Sequence, residues 1–187
     1  MSTATQKMKF YRSSLNETNR NGTLGSAQIE TPLGAMLAIG NNEALYLLEF
    51  VDCRGLQGEV ELIQKKTKCT IVPGYNNSIR SIENELDQYF GGKLADFKTP
   101  LILLGSPFQK LVWQELQKIP HGETRSYLQI SFGLGKPRAF RAVAQANGAN
   151  QLAIIIPCHR VINANGALGG YAGGVERKNW LLNHEKK

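Results

Sequence analysis

The sequence predicts a two-domain chain of mixed α+β or α/β class: a small β-sheet with helices in the N-terminal half, and a mostly helical C-terminal half. Three observations carry this. Short apolar stretches broken by turn residues crowd residues 24–52, as strands do. From residue 106 onward the apolar residues recur three and four apart behind capping residues, as helices do. The charge divides along the same line. Residues 1–99 hold 11 Lys and Arg with 11 Asp and Glu, whereas residues 100–187 hold 11 against 4, so the whole surplus of 7 lies in the second half.

Residues 1–22 are polar and aperiodic and are expected to be flexible. An N-terminal domain then spans 23–98. In it, Thr31-Pro32-Leu33-Gly34 and Gly40-Asn41-Asn42 break an apolar stretch into a three-stranded meander. Leu56, Val60 and Ile63 have helical spacing, "CTIVP" reads as a strand, and "NNSIRSIENELDQYFGG" reads as a helix. Ser78 is the expected cap of that helix, Ile79, Ile82, Leu86, Tyr89 and Phe90 its apolar face, and Gly91-Gly92 its stop. Nothing in this half looks catalytic.

The second domain, 99–187, opens with a helix capped by Ser106, with Pro107 at its first position and Phe108, Leu111, Val112, Glu115 and Leu116 along its stripe. Next come a short helix, a Gly-Leu-Gly turn and a helix from Pro137 to about Gly148, the outline of a helix-turn-helix. With the basic surplus, this outline suggests a polyanionic partner, most simply nucleic acid.

Other classes are disfavoured. No stretch approaches the ~20 apolar residues of a membrane span, and the N-terminus lacks the apolar run of a signal peptide. The chain is therefore expected inside the cell and away from membranes. Its three cysteines, Cys53, Cys69 and Cys158, form no disulfide framework. With only His121, His159 and His184 to join them, no metal site and no cofactor are expected.

The chemistry concentrates in "LAIIIPCHRVI", residues 152–162. The apolar run reads as a strand ending at Pro157, just before the strongest nucleophile in the repertoire. A thiol near pKa 8.5 needs a neighbouring base or cation to react, and His159 and Arg160 follow it directly. On extended backbone, however, neighbouring side chains point to opposite faces, so the chain must bend at Cys158 or reach His159 indirectly. Downstream lie a glycine-dense loop (Gly166, Gly169, Gly170, Gly173, Gly174) and an amphipathic helix ending at Glu185, a candidate orienter for His159. From the residues alone, a cysteine hydrolase built on Cys158, His159 and Glu185 and a non-catalytic helix-turn-helix DNA-binding protein both remain open.

"PCHRVI", "GGYAGG", "WLLNHE" and "SPFQKLVWQELQKIPHGETRSY" closely resemble the O6-alkylguanine-DNA alkyltransferases, the methylated-DNA–protein-cysteine methyltransferases, almost continuously over residues 106–185. The resemblance implies a ribonuclease H-like N-terminal domain and a helix-turn-helix seated in the minor groove of double-stranded DNA carrying O6-alkylguanine, with O4-alkylthymine a further candidate substrate. It implies a single turnover by a monomer, cytoplasmic in a prokaryote and nuclear in a eukaryote. Cys158 would accept the alkyl group, His159 would be its base through a water, and Glu185 would hold the histidine tautomer. Tyr127 would press on a phosphate and donate a proton to the departing guanine, and Arg141 would fill the gap left by the flipped base. Arg138 and Ala139 would also meet DNA. Asn150 would be a hinge tying the recognition helix to the cysteine segment. Asn147, Val161, Tyr171, Ala172 and Gly173 would line the pocket. Phe140 departs from the family, which usually has a small residue there. An alkyltransferase-like protein would lack the cysteine, and Cys158 argues against it.

Overall fold

The computed structural model describes residues 22–186, so the flexible segment expected at 1–22 lies, apart from Gly22, outside the described residues. The meander forms as β1 (Thr23–Ile29), β2 (Met36–Gly40) and β3 (Leu45–Phe50), each antiparallel to the last. The turns are those the sequence marks: Gly34 N–H donates to Thr31 O, and the Asn41 side chain accepts the Glu43 and Ala44 amides. Helix α1 (Leu56–Thr67) carries the chain across so that β4 (Thr70–Pro73) pairs parallel with β1, giving the order β3-β2-β1-β4.

Period-2 alternation explains how both sheet faces are covered. Leu24, Ile39 and Leu47 pack with Ile63 of α1 and with Leu104, whereas Met36, Ala38, Leu48 and Phe50 enter a core shared with α2 (Asn77–Phe90). The cap of α2 is Asn76, whose side chain accepts the Ile79 amide; Ser78, the cap expected from sequence, is buried inside the first turn and donates to Asn76 instead. Both residue types cap well, so composition could not choose between them.

Helix α3 (Pro107–Leu116) has the expected Ser106 capping box. Its buried stripe is Val112, Trp113 and Leu116, with Leu111 exposed. The Trp113 indole N–H donates to Ala146 O at 2.8 Å, which fixes the rotation of α3. A strand β5 (Arg125–Ser126) leads into α4 (Tyr127–Gly133), opened by a second capping box on Ser126. The helix expected from Pro137 begins as a 3₁₀ turn, Pro137–Ala139, and is α-helical as α5 (Phe140–Gly148). A parallel partner for β5, β6 (Val161–Ile162), and α6 (Val175–His184) complete the described chain. No helix among the described residues is long and apolar enough to cross a membrane.

The run 152–156 is not the strand its composition suggests. Only one rung forms: Leu48 N–H donates to Gln151 O at 2.9 Å and Ala153 N–H to Leu48 O at 2.8 Å, covering the β3 edge of the sheet. Ile154 then turns back at φ 69°, and Ile156 and Cys158 close tight turns onto Leu152 and Ile156 carbonyls. A β-branched residue in the left-handed region costs on the order of 1–3 kcal/mol, and complete burial of the run holds it there. Uniform burial makes the run apolar throughout, which is why it reads as a strand.

Candidate active site

Cys158 opens a 3₁₀ turn, Cys158–Arg160, closed by Arg160 N–H onto Pro157 O. At three residues per turn, successive side chains lie about 120° apart, so the thiol, the imidazole and the guanidinium leave in three directions. The thiol faces a cavity of about 270 Å³ lined by Glu49, Tyr127, Ala144, Asn147, Gly148, Asn150, Cys158 and Gly170–Ala172.

Asn150 grips the cysteine loop. Its Nδ2 donates to Cys158 Sγ at 3.2 Å and to the Ile156 and Leu152 carbonyls at 3.0 and 3.3 Å, while its Oδ1 accepts Leu152 N–H at 3.1 Å. Asn147 Nδ2 donates to Cys158 O at 3.3 Å. Asn147 lies in the last turn of α5 and Asn150 just beyond it, so the helix that starts with Phe140 and Arg141 ends by holding the nucleophile. Burial pushes the Cys158 thiol up to about 12, against the lowering effect of Asn150. At neutral pH the thiol therefore keeps its proton, so attack must be coupled to loss of that proton to a base.

His159, next in the chain, is the candidate for that base. His159 is fully buried, and its Nε2 lies 2.8 Å from Glu185 Oε1. A carboxylate only accepts, so Nε2 carries the hydrogen and Nδ1 the lone pair. Nδ1 is buried without a hydrogen-bond partner. Burial lowers the His159 pKa, against the raising influence of Glu185, so the ring rests neutral and able to accept.

Five donors converge on Glu185. Oε1 accepts from Tyr89 Oη (2.8 Å), His159 Nε2 (2.8 Å) and Arg160 Nη2 (2.9 Å), and Oε2 from Arg160 Nε (2.7 Å) and the Gly122 amide (3.3 Å). Burial alone would raise this carboxyl, but the bonds from His159 and Arg160 outweigh it and hold the group well below the usual carboxylate range. Gly122 is required here: its φ is 77°, and a Cβ would fall 2.7 Å from Glu185 O. Arg160 also donates to Ile119 O at 2.7 Å, so it fastens the segment's backbone and is the counter-ion of the carboxylate.

Lys178 is fully buried, with Nζ 2.6 Å from Val161 O and 3.3 Å from Gly170 O. Burial brings its pKa down to about 8, against the influence of the nearby Cys158 thiolate, which would raise it. It is a cation placed to favour negative charge on the sulfur. Tyr127 and Tyr171 are both held above the usual phenol range, first by burial and then by Cys158. Both hydroxyls therefore keep their protons, and that of Tyr171 is buried without a partner.

The chain is similar to known proteins. The family model for the 6-O-methylguanine DNA methyltransferase DNA-binding domain matches residues 107–187. A methylated-DNA–protein-cysteine methyltransferase of Methanosarcina barkeri is 42% identical over 159 residues, 84% of this chain and 94% of that one. The chain belongs to the methylated-DNA–protein-cysteine methyltransferase family. A relative of the same name in Mycobacterium leprae is 41% identical, with 84% and 90% of the two chains covered. The crystal structure of Mycobacterium tuberculosis OGT in complex with DNA superposes with a TM-score of 0.73 at 40% identity, covering 88% of this chain and 92% of that one.

Several residues expected at the site of this methyltransferase stand elsewhere. Val161 and Gly173 are not among the lining residues; the Val161 carbonyl is taken by Lys178, and the Gly173 carbonyl by Arg177 Nη1 at 2.9 Å. Gly173 is instead a point of close packing, where a Cβ would fall 2.8 Å from the Phe50 ring. Ala146, on the same helix as Arg141, is buried against Trp113. Arg138, Phe140 and Arg141 are exposed and Ala139 is half-buried, and the Arg141 guanidinium lies over the Phe140 ring at 5.7 Å. Among the described residues no three His, Cys, Asp or Glu side chains come together as a metal-ligand set.

Sequence reasoning passed over Glu49, Tyr89, Lys178 and the pairing of Arg160 with Glu185. Lys178 and Glu185 sit seven apart with buried Leu181 and Leu182 between them, a spacing that places them on one helical face. That signal was legible. Glu49 breaks an otherwise apolar strand, which flags it without saying what it faces.

Proposed function

We propose that this methyltransferase repairs duplex DNA by a direct, single-turnover transfer of an alkyl group from O6-alkylguanine to Cys158. The observation that carries the reading is a buried neutral thiol at the wall of a one-base cavity, gripped by Asn150 and backed by a neutral His159 whose open nitrogen is set by Glu185. The sulfur attacks the alkyl carbon as the S–H proton passes, through a water, to Nδ1 of His159. The carbon–O6 bond breaks and its electron pair stays on the guanine, which takes a proton toward N3 from Tyr127. One proton leaves the thiol and one reaches the base, so the exchange balances. Among the described residues no group near the product thioether is able to cleave it, and the protein is consumed.

The target atom lies inside the duplex, so the base is extruded at a cost of a few kcal/mol. We assign the recognition unit to residues 127–148, read as a helix-turn-helix in the minor groove within the 99–187 domain. Arg141 fills the vacated stack, with Arg138 and Ala139 beside it. The basic surplus of this half offsets the unstacking through phosphate contacts. Phe140 adds an apolar surface next to Arg141. The N-terminal sheet is read as ribonuclease H-like, and a single chain holds every residue of the site, as a monomer requires.

Arg141→Ala tests the flipping arm. Transfer from an O6-methylguanine duplex is expected to fall about 10- to 100-fold, the equivalent of losing a few kcal/mol of flipped-state stabilisation. Transfer from a free O6-alkylguanine base should change little. Equal losses on duplex and free base, measured as single-turnover rates, would show that Arg141 supports the pocket and not extrusion.

A further inference from the structure

Glu49 lies near the end of β3, in the half of the chain that the proposed chemistry does not use. It is 1% exposed and is the one acidic side chain lining the Cys158 cavity. Its Oε1 accepts the Phe50 amide at 2.8 Å. Among the described residues, its Oε2 has no hydrogen-bond partner.

A buried carboxyl without a cation at contact distance is costly to ionise. The groups around Glu49 are mixed in sign. Glu59 from α1 and Asp52 raise its pKa, while the Phe50 amide and Arg177 from α6 lower it. Asp52 and Arg177 are themselves paired at 2.8 Å, and their opposite influences on Glu49 partly cancel. Burial dominates and pushes the carboxyl up to about 8. A negative charge on Glu49 would raise both the Cys158 thiol and the Tyr171 hydroxyl, so the carboxyl and the thiol share one electrostatic neighbourhood. At neutral pH the group is mainly the neutral acid. With Oε1 occupied as an acceptor, the acid proton belongs on Oε2.

We propose that Glu49 sets alkyl-group specificity: its carboxylic O–H is a donor in the pocket wall beside Cys158 and favours O6 adducts whose alkyl group carries a hydrogen-bond acceptor. The 2-hydroxyethyl group is the simplest of that class, and n-propyl is its near-isostere without the oxygen. This inference rests on the alkyl-transfer reading above. An apolar wall would suit methyl and propyl equally well, and among the described residues the Phe50 amide is the hydrogen-bond partner of the buried acid.

The test compares single-turnover transfer from duplexes carrying O6-(2-hydroxyethyl)guanine and O6-propylguanine, using wild type, Glu49→Gln and Glu49→Leu. The hydroxyethyl-to-propyl rate ratio cancels any common loss from repacking the pocket. Glutamine keeps a donor, so its ratio should stay close to that of wild type. Leucine removes the donor, and the ratio should fall about 3- to 10-fold, the worth of one neutral hydrogen bond. An unchanged ratio in Glu49→Leu overturns the proposal, and so does a ratio in Glu49→Gln as low as that of the leucine variant.

Melting against pH checks the protonation state separately. A carboxyl raised to about 8 contributes stability that is complete below its unfolded pKa near 4.3 and is lost as pH rises through 8. Glu49→Gln should therefore gain on wild type in melting temperature between about pH 5 and 9; a constant difference would contradict a neutral acid. If wild type transfers no methyl group to Cys158 at all, the underlying reading fails, and the result is distinct from every ratio above.

Discussion

Replacing Glu185 with glutamine is expected to slow methyl transfer by about 10²- to 10⁴-fold and to cost about 3–5 kcal/mol of stability. Five donors point at its two oxygens. An amide keeps one oxygen and puts an NH₂ where the other stood, so donor faces donor at Arg160 or at His159. The buried Arg160 guanidinium also loses its counter-charge, the expensive half of breaking a buried ion pair. The rate falls because the imidazole no longer has a carboxylate to define its tautomer and to stabilise the imidazolium that forms on accepting the thiol proton.

The stability loss has a stated pH window. A carboxyl held below its ordinary range contributes stability above its unfolded pKa, and that contribution is lost as pH falls through the folded value. The gap between wild type and Glu185→Gln in denaturant melts should therefore persist at neutral pH and narrow below about pH 4. A variant with a wild-type rate and a wild-type melt would remove Glu185 from the mechanism.

Asn150→Ala is the second large effect. It strips the donor from Cys158 Sγ, leaves the Leu152 amide unpaired in a buried loop, and leaves the Leu152 and Ile156 carbonyls with only the Ile156 and Cys158 amides. One unsatisfied buried group costs about 1–3 kcal/mol, so a loss of about 1–3 kcal/mol is expected in the melt. Transfer should fall at least about tenfold, because a thiol already raised by burial loses the one side-chain bond that lowers it. Asn150→Asp separates packing from charge. It preserves shape and the Leu152 contact but turns an acceptor toward the sulfur, and it should be the slower of the two at neutral pH. Equal rates for the aspartate variant and wild type would contradict the contact with Sγ.

The features legible in the sequence are those written in local rules. Capping boxes at Ser106 and Ser126, the two meander turns and the stop after Phe90 each follow from a few adjacent residues. The juxtaposition of Cys158, His159 and Glu185 was legible through the family's motif and the amphipathic spacing of the last helix. The misreadings share a cause. The run from Leu152 to Ile156 is apolar because it is buried on every side, and burial does not report backbone direction; only Ile154 at φ 69° and the single rung to Leu48 do. Leu111 and Trp113 exchanged places because one indole hydrogen bond to Ala146 rotates α3. Glu49 and Tyr89 reach the site from 109 and 96 positions away from the residues they meet, Cys158 and Glu185, and no local pattern encodes such a contact.

The most direct test is the intact mass of the protein after incubation with a duplex carrying one O6-methylguanine. The expected result is a gain of one methyl group, located on Cys158 by peptide mapping, levelling off at one per chain however much substrate is added, and absent in Cys158→Ala. Guanine released beyond one equivalent per chain, or an equal adduct in Cys158→Ala, would contradict single-turnover transfer to this cysteine.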